Sequence, residues 1–116
     1  MGEKRDVRHF LDDITESIEK INTYSSNLTE EAFLINIEKQ DAINRRIEII
    51  GEAVKNIPDE IRYIFPVVQW KRIAGLRDVV IHNYFGINPK RLWRIIKQDL
   101  PILHDQITMI KSKIKD

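Results

Sequence analysis

Apolar residues recur at every third or fourth position along almost the whole chain, and no segment alternates with the period of two that a strand requires. A helix buries side chains at that wider spacing, so the pattern confines the chain to an all-α fold. Val7, Phe10, Leu11, Ile14, Ile18 and Ile21 predict an amphipathic helix over 6–25 with an acidic outer face. Asn27-Leu28-Thr29 interrupts it, Thr29 is a capping residue, and Glu30 and Glu31 suit the first turn of the next helix. Ile43, Ile47, Ile50, Val54 and Ile57 carry a second long helix from Ile37 to Ile57. Gly51 lies inside it, where glycine lowers helix propensity by about 1 kcal/mol relative to alanine, and points to a close helix contact.

Pro58 and Pro66 bracket a short helical connector, and a third helix is expected from Val68 to Phe85 with Gly86 as its stop. Asn88-Pro89 reads as a cap followed by a first-turn proline. Leu92, Ile95, Ile96, Leu100, Leu103, Ile107 and Ile110 then repeat at helical spacing, with Pro101 expected to kink or divide the run. The simplest architecture is an antiparallel bundle of four long helices with short accessory helices, forming one domain over residues 1–116.

A chain of 116 residues buries roughly two thirds of its unfolded surface, enough for one core without disulfides or a structural metal. The absence of cysteine excludes disulfide scaffolds and cysteine-ligated metal sites, and three histidines without an H-E-x-x-H pattern make a transition-metal centre improbable, so no cofactor is expected. Met1-Gly2-Glu3-Lys4-Arg5-Asp6 holds no apolar stretch, and the apolar run from Ile64 to Val68 is too short to span a bilayer. A cytoplasmic location without membrane association is the resulting expectation.

The net charge of +1 conceals an asymmetry. Residues 1–61 carry 8 basic and 14 acidic side chains, residues 62–97 carry 8 and 1, and residues 98–116 carry 3 and 3. The middle block suits an anionic partner such as nucleic acid, and it equally suits basic helices packed beside acidic ones. Its phosphate-contact candidates are Lys71, Arg72, Lys90, Arg91, Arg94 and Lys97.

The most informative stretch is Arg77-Asp78-Val79-Val80-Ile81-His82-Asn83-Tyr84 on the third helix. With Arg77 at 0°, helical geometry puts Asp78 at about 100°, His82 at about 140° and Tyr84 at about 340°. Apolar residues occupy several sides of this helix, which predicts burial against the bundle on one side and a second subunit on another. His82 titrates near neutrality and can move a proton, Arg77 can hold a phosphate or a phosphorane-like transition state, and Asp78 can orient the imidazole. Those roles suffice for metal-independent RNA cleavage by the ribose 2′-hydroxyl. The same three side chains could instead form a polar cluster that ties two subunits together.

Arg77-x4-His82-x-Tyr84 resembles the signature of HepT-like proteins in the HEPN superfamily, the toxin partners of MntA-type minimal nucleotidyltransferase antitoxins. Ile49-Ile50-Gly51-Glu52-Ala53, Trp70-Lys71-Arg72-Ile73-Ala74-Gly75-Leu76, Tyr84-Phe85-Gly86-Ile87, Leu92-Trp93 and Asp99-Leu100-Pro101 extend the likeness over nearly the whole chain. The resemblance implies a HEPN-like bundle that dimerises around the signature helix. It further implies the toxin of a type VII toxin-antitoxin system, acting as a metal-independent endoribonuclease on RNA. Residue by residue it assigns Arg77 and His82 to catalysis, Asp78 to the polar position after the arginine, and Tyr84 to the hydroxyl that the cognate MntA-like antitoxin modifies with AMP. Asp78 stands where the family often has asparagine, and Gln69 where proline is frequent. The alternative is a non-catalytic module that binds a nucleotide or partner and serves as the nucleotidyltransferase's substrate.

Simpler expectations attach to other residues. His9 and His104 read as ordinary surface or boundary residues, and Trp70 and Trp93 as packing anchors before base-stacking platforms. Glu52, beside Gly51, reads as a capping or interhelical partner. Lys71, Arg72, Arg91 and Arg94 are the leading candidates for RNA contact.

Overall fold

The computed structural model describes residues 2–82 and 88–114, with side chains from residues 7–78 and 88–114. Among these residues there are only helices: α1 (Gly2–Ser25), α2 (Glu30–Leu34), α3 (Ile37–Lys55), α4 (Asp59–Ile64), α5 (Trp70–His82), α6 (Pro89–Arg94) and α7 (Leu100–Lys113). A single π-helical turn, Ile95–Asp99, joins α6 to α7 into one long rod. Four long elements therefore form an all-α, HEPN-like bundle, and α2 and α4 are its short accessories. The end of the third helix expected at Phe85 and Gly86 lies outside the described residues.

Local signals account for the boundaries. Thr29 Oγ1 accepts from the Ala32 N–H at 3.1 Å, Asn36 Oδ1 from Lys39 at 3.0 Å and Asn88 Oδ1 from Lys90 at 2.9 Å, so three helices start on side-chain caps. The second long helix begins at Ile37 as expected, on the Asn36 cap, and ends at Lys55, two residues before the expected Ile57; the helix that Thr29 starts is the separate, short α2. At the other end of α3, Arg62 of α4 donates from Nη2 to the Val54 carbonyl at 2.7 Å and from Nε to that of Ile57 at 3.1 Å. A cation at the helix C-terminus satisfies carbonyls that have no intrahelical partner.

Pro101 falls in the first turn of α7. Its ring cannot sit over the carbonyl four residues back in a regular helix, and it has no N–H to give. The turn before it is widened, with the Leu100 N–H reaching the Ile95 carbonyl five residues back. The proline thus interrupts the helical bonding without cutting the rod in two.

Val7, Leu11, Ile14, Ile18 and Ile21 form the buried stripe of α1, and Ile43, Ile47, Ile50 and Val54 that of α3. Leu92, Ile95, Ile96, Leu100, Leu103, Ile107 and Ile110 close the core from the C-terminal rod. α1 packs against α3 and α7, and α3 packs in turn against α5. α1 and α7 are antiparallel: Arg8 donates to the Lys111 and Ile114 carbonyls, and Glu19, farther along α1, meets His104 at 2.9 Å. No helix among the described residues is long and apolar enough to cross a membrane.

The two helical glycines meet opposite surroundings. A Cβ on Gly51 would lie 2.5 Å from the Arg77 Cβ and 3.3 Å from its Cα, whereas one on Gly75 would meet nothing within 4 Å. The Arg77 atoms belong to the rigid base of its side chain, so α3 and α5 would have to separate. Gly51→Ala should therefore lower stability by about 1–2 kcal/mol despite its better propensity, and Gly75→Ala should raise it by about 0.5–1 kcal/mol. Chemical denaturation followed by helical circular dichroism checks both signs.

Candidate active site

Arg77 sits where α5 packs tightly against α3, and glycine at position 51 permits that approach. The next residue of α3, Glu52, reaches the arginine: its Oε2 lies 2.5 Å from Arg77 Nε. On the other side, Asp78 Oδ1 is 3.6 Å from Arg77 Nη1 and 3.9 Å from Lys55 Nζ. Charges thus alternate from Glu52 through Arg77 and Asp78 to Lys55. The Arg77 side chain is 32% exposed and the Glu52 side chain 57%, so solvent screening limits their pair to about 0–1 kcal/mol of stability. Its effect is on where the guanidinium points more than on whether the chain folds.

Arg77 opens onto a groove of about 360 Å³ between α1 and α3, whose walls include Phe10, Asp13, Arg45, Glu48 and Asn56. His82 closes the described part of α5, about 7.5 Å of helical rise beyond Arg77. Its side chain and the whole of Tyr84 lie outside the described residues. The contacts found for Asp78 are Arg77 and Lys55.

A second groove, of about 260 Å³, lies between α5 and the α6–α7 rod. Arg72, Arg91 and Arg94 line it together with Gly75, Gln98 and Asp99. Position 75 is about 160° around α5 from position 77, so this groove and the Arg77 groove occupy different faces of one helix. Lys71 and Arg72 also border a shallow depression beside Arg62, Pro66 and Trp70. Three of the four leading RNA-contact candidates therefore converge, with Lys71 on the adjoining surface.

The two expectations for the basic block divide it. Arg62 bonds carbonyls of α3 and its C-terminal cap region, Arg72 meets Asp99 at 3.1 Å, Arg77 meets Glu52, and Lys97 lies 4.6 Å above the Trp93 ring. Lys71, Lys90, Arg91 and Arg94 form no ion pair among the described residues. Acidic neighbours thus account for Arg72 and Arg77, carbonyls and an aromatic ring for Arg62 and Lys97, and a basic surface remains on α6 and the start of α5.

Both tryptophans pack as anchors. Trp70 is 6% exposed and donates its indole N–H to the Phe65 carbonyl at 3.0 Å, and Trp93 packs on Phe33 with ring centroids 5.1 Å apart. His9 forms a local pair with Asp13 at 3.4 Å. His104 has a tertiary partner, Glu19, that its sequence neighbourhood could not disclose. Glu52 is an interhelical partner, as its place beside Gly51 suggested; that its partner is Arg77 had no signal in the sequence. No group of three or more His, Cys, Asp or Glu among the described residues is placed to hold a metal ion.

A family model described as HepT-like, ribonuclease HepT-like, matches residues 14–110. The chain belongs to the HepT-like ribonuclease family.

Among its relatives, the probable ribonuclease HepT of Thermococcus cleftensis is 38% identical over 94% of this chain and 99% of its own length. A Methanocaldococcus jannaschii protein named as a gamma-glutamylcyclotransferase and candidate RNase is 41% identical over 96% of this chain, which spans 50% of that longer protein. A candidate RNase of the same organism is 42% identical over 97% of this chain and 91% of its own length. No solved structure matches the chain. For a member of this family, RNA is the implied substrate.

Proposed function

We propose that this chain is a single HEPN/HepT-like domain and the toxin of a type VII HepT/MntA-like toxin-antitoxin system. It acts in the cytoplasm as a homodimer and cleaves RNA without a metal or other cofactor. The observation that carries this reading is Arg77 itself, anchored at a tight contact of α3 and α5, about one and a half helical turns before His82, in a chain of a ribonuclease family.

In the proposed reaction the ribose 2′-hydroxyl attacks the adjacent phosphorus and the bond to the 5′-oxygen breaks. His82 takes the hydroxyl proton, and the leaving 5′-oxygen is protonated in turn. Arg77 balances the charge that builds on the phosphoryl oxygens, while Asp78 favours the protonated imidazole. The products are a 2′,3′-cyclic phosphate and a 5′-hydroxyl. His82→Ala and Arg77→Ala should each lower kcat by about a hundredfold or more with helicity intact, and wild-type cleavage should persist in EDTA. Cleavage that EDTA abolishes, or that survives His82→Ala, overturns the mechanism. A folded wild-type protein that leaves RNA uncut, yet accepts AMP from a nucleotidyltransferase, favours the non-catalytic partner-binding module.

RNA is held by its phosphates on Lys71, Arg72, Arg91 and Arg94. The groove shared by the three arginines supports this, as does the lack of ion pairs for Arg91 and Arg94 among the described residues. Affinity should fall with salt at a logarithmic slope of about 0.7 per phosphate contact. Reversing both charges, Arg91→Glu with Arg94→Glu, should weaken binding and flatten the slope; a slope equal to wild type removes these residues from the interface.

Tyr84 is the proposed acceptor of AMP from the cognate MntA-like antitoxin. An attached nucleotide brings phosphate charge and a purine two residues from His82 in the sequence, where it would compete with RNA. Protein co-expressed with such an enzyme should gain the mass of one or more AMP groups, and Tyr84→Phe should not; an adduct on Tyr24 or Tyr63 contradicts the assignment.

A further inference from the structure

We propose that Glu52 is a positioning residue for Arg77, fixing the guanidinium from α3 so that its free edge faces the RNA phosphate. The inference rests on the ribonuclease reading of Arg77 and adds a residue from a different helix to that site. Two adjacent residues of α3 divide the work. Gly51 lets the base of Arg77 approach within the reach of a single Cβ, and Glu52 then meets the side chain from the same helix.

The contact is made to Nε, the donor nearest the side-chain stem. A guanidinium presents five N–H groups in a rigid planar fork, so a carboxylate on Nε sets the plane and leaves donors on the terminal nitrogens. Asp78 approaches Nη1 at 3.6 Å, beyond ordinary hydrogen-bond length, and its other neighbour Lys55 stands at 3.9 Å. It balances charge on the far side without closing the fork. A flexible arginine would have to order itself as each phosphate arrived, whereas one already oriented meets the transition state with that ordering done. Because both side chains of the pair are solvent-accessible, the pair contributes little to folding, and its removal separates positioning from stability.

The test compares Glu52→Ala and Glu52→Gln with wild type on a short single-stranded RNA, with circular dichroism confirming folded protein at the assay temperature. Glu52→Ala should lower kcat by about tenfold or more while KM changes by less than about threefold. Glu52→Gln, whose amide oxygen still accepts from Nε–H, should recover most of that loss. The Arg77 Nε–H resonance, assigned by its absence in Arg77→Lys, should exchange slowly in wild type and Glu52→Gln and rapidly in Glu52→Ala. An unchanged kcat in Glu52→Ala overturns the proposal. So does tighter binding of an uncleavable 2′-deoxy analogue by Glu52→Ala, which would make Glu52 a competitor of phosphate. Equal loss in both variants also overturns it, because charge alone would then be responsible. If the wild-type protein cuts no RNA, the ribonuclease reading fails separately, and the Arg77 resonance still decides whether Glu52 orients the guanidinium.

Discussion

The site depends on the approach of α5 to α3 at Gly51. Helices whose facing positions carry side chains are held apart by them, and here the absence of one atom allows the base of Arg77 to reach the α3 backbone. That contact places Arg77, brings Glu52 within range of its guanidinium, and puts Lys55 beside Asp78 one turn farther along α3. An alanine at the same position would favour the isolated helix and disfavour the packed one. Tertiary packing therefore sets the residue identity against local propensity, a conflict expected where a site is built.

Helix α5 also divides the charged surface. Arg77 opens on a groove with mixed walls between α1 and α3, while Arg72, Arg91 and Arg94 share a basic groove against the α6–α7 rod. The π-helical turn at Ile95–Asp99 belongs to the second wall, and Pro101 is its physical cause. Asp99, at the end of that turn, holds Arg72 through both carboxylate oxygens. The catalytic candidate and the basic groove thus lie on different faces of one helix.

Much of the fold was legible because its determinants are local. The three- and four-residue spacing of Val7, Leu11, Ile14, Ile18 and Ile21 needs only helical geometry to define a buried face, and all five are buried. Thr29 and Asn88 cap the helices they were expected to cap, since a side-chain oxygen and an N–H two or three residues away meet without help from the rest of the molecule. Asn36 caps α3 in the same way, at the start expected at Ile37. Pro101 announced a disturbance but not its form; a π-helical turn keeps the rod continuous because Leu100 and Leu103 on one side and Ile95 and Ile96 on the other are buried in the same core.

The Arg77-x4-His82-x-Tyr84 spacing and its flanking motifs identified the family, since residues close in sequence on one helix keep a fixed relation in any fold that retains that helix. The partners of those residues were another matter. Glu52 lies 25 positions before Arg77, and His104 lies 85 after Glu19, so neither pair has a signature in spacing. The same holds for the basic block, whose composition could not distinguish Arg62, bonded to carbonyls around the end of α3, from Arg91 and Arg94, left without ion pairs among the described residues. Sequence alone determined the helical stripes, the caps at Thr29 and Asn88 and the identity of the signature residues, because each is decided within a few turns of backbone. Only the tertiary structure decided which carboxylate meets Arg77 and which arginines share a groove, because those contacts depend on the faces that distant helices present to one another when their apolar stripes are buried.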